Sequence, residues 1–217
     1  MSAPTIAADP VPRAVAAAAA VLRAGGLVVV PTDTVYGLAA LPGDRAATAR
    51  LFGLKGRSAA VPVAVLCASP GQALALAAPA RLTEEARRMA TRLWPGPLTL
   101  VLPRREGLDY HLGEPAATIG VRCPDHPFVR GLAAEVGPLA TTSANRHGEP
   151  TAVDAAGVAA ALGAGVGLVV DGGRCAGAPS SVVDATGPSW TMLREGPVSL
   201  DAVRDAAGAA TTPGRRG

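Results

Sequence analysis

"LVVVPTDTVYGLAA", residues 27–40, begins as a run of β-branched side chains and breaks into hydroxyls, a carboxylate and a tyrosine. The run "LVVVP" (27–31) lies between Gly25-Gly26 and a proline, which predicts a strand buried on both faces. The segment "TDTVYGLAA" that follows reads as a polar loop. Sheets in α/β proteins offer such strand ends to ligands, so this loop is a candidate site, although an ordinary turn would use the same residues.

Upstream, the alanine-rich stretch 14–24 with Leu22 predicts a helix that stops at the glycine pair. Downstream, strands and helices alternate. Asp44 can cap a helix over 45–53 that ends at the "KGR" turn, and "VPVAVLC" (61–67) reads as a strand. Thr83 followed by Glu84 and Glu85 starts a helix that cannot pass Pro95-Gly96-Pro97. Strands follow at 98–102 and 118–122, then a helix near 126–136 and a strand at 138–142. Thr151 and Asp154 form a capping pattern for a helix over 152–162. "GLVVDGG", "SSVVDAT" and "WTMLREG" read as short strands, and Ser199 caps a last helix. The alternation predicts a single α/β domain over 11–208, between a flexible N-terminus (1–10) and a flexible tail (209–217). The pairs 98–102 with 118–122 and 168–171 with 181–184 lack an intervening helix. They predict a twisted sheet of mixed parallel and antiparallel strands, flanked by helices.

Composition narrows the classes. With 217 residues, 49% of them apolar but only 3% aromatic, the chain can bury one core packed by Ala, Val and Leu. A net charge of +3 permits an anionic ligand but is no dense basic stripe. Three dispersed cysteines, with no CxxC, predict neither a disulfide framework nor a zinc site, and point to a reducing cytoplasm. No apolar run is long enough to span a membrane. Walker A, GxGxxG, HExxH and GxSxG patterns are all missing, and the three histidines sit at no metal spacing.

The remaining candidates are cations and hydroxyls. Of the 20 Lys and Arg residues, Lys55 is the only lysine. With Arg57 it forms "KGR", which suits either the negative end of a helix dipole or the grip of a polyphosphate. "TTSANR" (141–146) ends a strand in groups that can hydrogen-bond a phosphate or simply build a turn. Arg122 closes an apolar strand, where a lone charge is costly, so an anionic partner is expected, either a ligand or a neighbour such as Asp125. "APSSVVD" (178–184) and "LREG" (193–196) add Ser180, Ser181 and Arg194. Many cations and few acid–base groups suit electrostatic stabilisation of an anion or of phosphoryl transfer.

Seven segments then carry a resemblance. "PTDTVYGL", "KGR", "LWPGPLTLVL", "TIGVRCPDHP", "TTSAN", "SSVVD" and "LREG" are similar, in order from about Gly25 to Pro197, to the motifs of the YrdC-like family of threonylcarbamoyl-AMP synthases. The chain resembles the family's single-domain form. The resemblance implies a YrdC-like fold and a nucleotidyltransferase that makes threonylcarbamoyl-AMP and pyrophosphate from L-threonine, bicarbonate or CO2, and ATP. Mg2+ would accompany ATP, with no structural metal. It implies that Lys55 and Arg57 are catalytic and bind ATP together with Thr118, Ser143, Asn145 and Arg194. Thr32, Arg122, Thr141 and Ser180 would hold threonine. A downstream tRNA threonylcarbamoyl transferase complex would take the product, and tRNA itself is a further candidate partner. A paralogue that handles another carbamoyl-adenylate, or a non-catalytic RNA-binding protein, would carry similar motifs. Ser58, Val61, Leu66 and Pro179 depart from the family pattern, at the rim of the expected pocket.

Overall fold

The valine run lies between two apolar layers. In the computed structural model, which describes residues 3–114, 116–146 and 148–208, strand β2 is Val28–Val30 and all three valines are fully buried. Successive strand side chains point to opposite faces. Val28 and Val30 therefore pack with Ala18 and Leu22 of helix α1 (Val11–Arg23) and Phe128 and Leu132 of α5 (Pro127–Val136). Val29 packs on the other face, in one cluster with Leu51 of α2 (Arg45–Lys55), Met89 of α4 (Glu84–Leu93), Val158 of α6 (Ala155–Leu162) and Val203 of α7 (Leu200–Ala207). A short α3 (Pro70–Leu74) completes the helices among the described residues.

The remaining strands are β1 (Thr5–Ala7), β3 (Gly37–Ala40), β4 (Ala64–Leu66), β5 (Leu98–Pro103), β6 (Thr118–Arg122), β7 (Leu139–Ser143), β8 (Leu168–Asp171), β9 (Ser181–Asp184) and β10 (Thr191–Arg194). They form one sheet in the order β1-β8-β2-β3-β7-β4-β6-β5-β9-β10. Pairing is parallel for β1/β8, β2/β8, β4/β6 and β5/β9, and antiparallel elsewhere, so the expected mixed α/β sheet is present.

Three expectations need correction. Residues 37–40 are not loop but strand: β3 turns back on β2 because Leu38 and Ala40 reach one apolar layer and Ala39 the other. The segments 168–171 and 181–184 do not pair. β8 lies between β1 and β2 while β9 crosses to β5, where Val183 joins the core. Thr5–Ala7, as β1, pairs with the edge of β8, whose backbone groups would otherwise stand unpaired. Asp154, rather than Thr151, is the N-cap of α6, accepting a hydrogen bond from the Gly157 amide at 2.8 Å, so the helix starts at 155. The expected tail, 209–217, lies outside the described residues.

One part of the sheet is left uncovered. Ile119 and Val121 of β6 point into the core, while Thr118, Gly120 and Arg122 face the opposite side. The same alternation puts Leu98 and Leu100 of β5 inside and Thr99 and Val101 outside. The outward residues of β7, β4, β6, β5 and β9 together floor a cavity of about 460 Å³.

Candidate active site

Eight of the ten expected site residues line this cavity: Thr32, Arg57, Thr118, Arg122, Thr141, Ser143, Ser180 and Arg194. They come from separate elements that the sheet order brings together. Several of them are strand residues facing the open side of the sheet, and so do not lie in loops at strand ends. A larger cavity, about 730 Å³, opens beside Arg45, Arg81, Arg104 and Arg105 and holds none of the ten.

The turn after α2 separates the two cations of "KGR". Asp44 caps the helix start, accepting from the Ala47 amide at 2.9 Å. Gly56 closes the end with φ 64°, a left-handed conformation that glycine adopts without steric cost. Lys55 is thereby turned inward and is 4% exposed. Its Nζ donates to Ser143 O (2.8 Å), Ser143 Oγ (3.1 Å), Asn145 O (2.9 Å) and Asn145 Oδ1 (2.7 Å). Burial, and to a lesser extent the nearby Arg57 charge, pushes the Lys55 amine down to about 8. Arg57, past the turn, lies in the cavity wall and braces the following loop by donating to Val61 O and Pro62 O. Lys55 and Asn145 sit behind that wall, while Ser143 is part of it.

Arg122 is 5% exposed and fully engaged by the protein on one side. Nε donates to Gly96 O at 3.0 Å, Nη1 to Thr34 Oγ1 at 2.8 Å, and Nη2 to the Asp33 carboxylate. Burial pushes its pKa down, and the Asp33 charge opposes this. The internal anion is thus Asp33, not Asp125, because β6 lies within reach of the loop that leaves β2. Asp33 Oδ2 is buried without a hydrogen-bond partner among the described residues. Thr32 Oγ1 ties the same loop, accepting from the amides of Thr34 and Val35 and donating to Val35 O.

The far wall is built from β5, β9 and β10. Ser180 Oγ meets Thr99 Oγ1 at 2.9 Å, and Arg194 Nε donates to Ser180 O at 2.9 Å. Burial lowers the Arg194 pKa, as it does for Arg57, but arginines remain charged at neutral pH. Thr141 Oγ1 donates to Leu139 O at 3.1 Å. Of the four positions that depart from the family pattern, Val61, Leu66 and Pro179 line the cavity. Asp33, Thr34 and Thr99 were not among the expected site residues. A hydroxyl inside the apolar run "LTLVL" was the available signal for Thr99, since a buried polar group needs a partner.

The Sua5/YciO/YrdC family, described as "Telomere recombination", matches residues 20–196. A Mycobacterium leprae protein provisionally named threonylcarbamoyl-AMP synthase is 42% identical over 93% of this chain and 92% of its own. The crystal structure of Pyrococcus abyssi Sua5 complexed with L-threonine is similar with a TM-score of 0.83 and 38% identity, over 89% of this chain and 57% of that one. Escherichia coli YciO is similar with a TM-score of 0.80 and 25% identity, over 88% and 93% of the two chains. With the family match spanning most of the sheet and every wall of the cavity, the chain belongs to the Sua5/YciO/YrdC family.

Proposed function

We propose that this protein is an L-threonylcarbamoyl-AMP synthase. The observation that carries the reading is that one cavity is lined both by the residues expected to bind ATP (Arg57, Thr118, Ser143, Arg194) and by those expected to bind threonine (Thr32, Arg122, Thr141, Ser180). Relatives that match most of the chain bear the name of this activity, and the similar Sua5 structure was solved with L-threonine.

In this reading the threonine carboxylate meets Arg122. Three of the five guanidinium N–H groups are engaged by Gly96, Thr34 and Asp33, and the remaining donors can serve the ligand. Asp33 offsets the buried positive charge of Arg122. Bicarbonate takes up a proton and loses water to give CO2; the threonine amine adds to it, forming a C–N bond as a C=O π bond opens and returning that proton, and a carbamate oxygen then attacks the α-phosphorus. The bond from that phosphorus to the bridging oxygen breaks and pyrophosphate leaves. Negative charge is high throughout, so Arg57 and Arg194 stabilise the transition state by their fixed charge. Thr118 donates to phosphate or ribose oxygens, and Ser143 Oγ, whose proton goes to Asn145 Oδ1, keeps a lone pair that accepts from a ribose hydroxyl. Mg2+ arrives with ATP, as part of the substrate. Bicarbonate supplies the carbon, and a transferase complex that modifies tRNA consumes the product in the cytoplasm.

The test is pyrophosphate release from ATP and bicarbonate with each amino acid in turn. Threonine-dependent release is the expected result. Release that ignores threonine, or none with any amino acid, would overturn the reading. Arg57→Ala should lower turnover by about a hundredfold, the usual cost of one preorganised contact.

A further inference from the structure

The sequence suggests that Lys55 grips phosphate, but its surroundings indicate another task. An ammonium has three N–H groups. Those of Lys55 already face four oxygens at 2.7–3.1 Å, two from Ser143 and two from Asn145. The side chain is 4% exposed and the residue does not line the cavity. Nothing is left to donate to a ligand.

We propose that Lys55 is a positioning residue that folds the 143–145 turn around its ammonium and so presents Ser143 to the nucleotide. Ser143 O, Asn145 O and Asn145 Oδ1 converge on one point, where they would repel one another without a cation between them. Ser143 Oγ donates to Asn145 Oδ1 at 2.7 Å and accepts from Lys55, so the ammonium also sets the hydroxyl's direction. The Asn145 amide nitrogen donates to Glu149 O, which carries the same order onward along the chain. A compact tetrahedral donor can serve oxygens that converge on a point, whereas a planar guanidinium cannot. This is why arginine, which serves everywhere else in the chain, does not serve here. The link to ATP rests on the proposed function; the ordering of the turn does not.

The test uses the full chain. In Lys55→Met without ligand, amide hydrogen exchange over 139–150 should quicken at least tenfold while α1 and α5 stay unchanged. ATP affinity by calorimetry should fall at least tenfold. Adding Ser143→Ala to Lys55→Met should cost less than a further twofold, because both changes act at one contact. Lys55→Arg should restore neither exchange protection nor affinity. Unchanged exchange in Lys55→Met, ATP affinity retained by Lys55→Arg, or losses from Lys55→Met and Ser143→Ala that multiply would overturn the inference in favour of direct phosphate contact. Should Lys55→Met fail to fold, Lys55→Gln permits the same comparisons. If the wild type releases pyrophosphate without regard to threonine, the proposed function fails while the exchange result still decides the role of Lys55.

Discussion

Lys55 carries its charge into the interior against four neutral oxygens, whereas Arg122 meets a carboxylate, and the two answer to different tests. The Lys55 amine titrates at about 8, lowered chiefly by burial. Below that pH it is an ammonium with three donors. Above it, one donor becomes a lone pair facing an oxygen. ATP affinity should therefore fall as pH rises through about 8, by roughly tenfold for one lost charged hydrogen bond. Calorimetry between pH 6.5 and 9.5 checks this, and the step should be missing in Lys55→Arg, whose charge does not titrate there. For Arg122 the expectation concerns stability. Asp33→Ala leaves a buried, uncompensated guanidinium and should cost about 3–5 kcal/mol in urea unfolding. The sequence marked Lys55 by its singularity and Arg122 by its burial. It could not assign their partners, because Ser143, Asn145 and Asp33 reach them only through the order of the strands.

Elements were legible where a signal is local. Asp44, Thr83 and Ser199 each cap the helix that the sequence assigned to them. Thr83→Ala should cost about 1 kcal/mol, seen as a drop of about 2–4 °C in Tm for a chain of this size. Strand β3 was missed because "GLAA" is short, small and continuous with a polar loop, and only its two apolar layers make it a strand. Gly37 at its start is held close to β7: an added Cβ would lie 2.7 Å from Thr141 Cγ2. Gly37→Ala must push Thr141 out of place, and overpacking of this kind costs about 1–3 kcal/mol. Its threonine KM should rise along with the loss of stability. Gly120→Ala is the contrasting case, since its nearest neighbours would be 3.7–3.8 Å away. It should keep the wild-type Tm while its methyl group enters the cavity and weakens substrate binding.

Across the whole molecule, the cavity lies along the seven strands from β3 to β10 and β1 closes the other edge of the sheet. Deleting residues 1–7 should lower Tm by exposing the edge of β8, yet leave ATP affinity within twofold of wild type. A parallel loss of affinity would mean that the two parts are not independent. The sequence alone determined the α/β class, most element positions, most of the helix caps and eight of the polar residues that line the cavity. These follow from contacts a few residues apart, through side-chain periodicity, capping groups and glycine or proline stops. Tertiary structure alone decided the strand order, the uncovered part of the sheet, the pairing of Arg122 with Asp33 and the enclosure of Lys55. Each of these joins residues far apart in the chain. They are settled by which faces must be buried together, a constraint that no local pattern expresses.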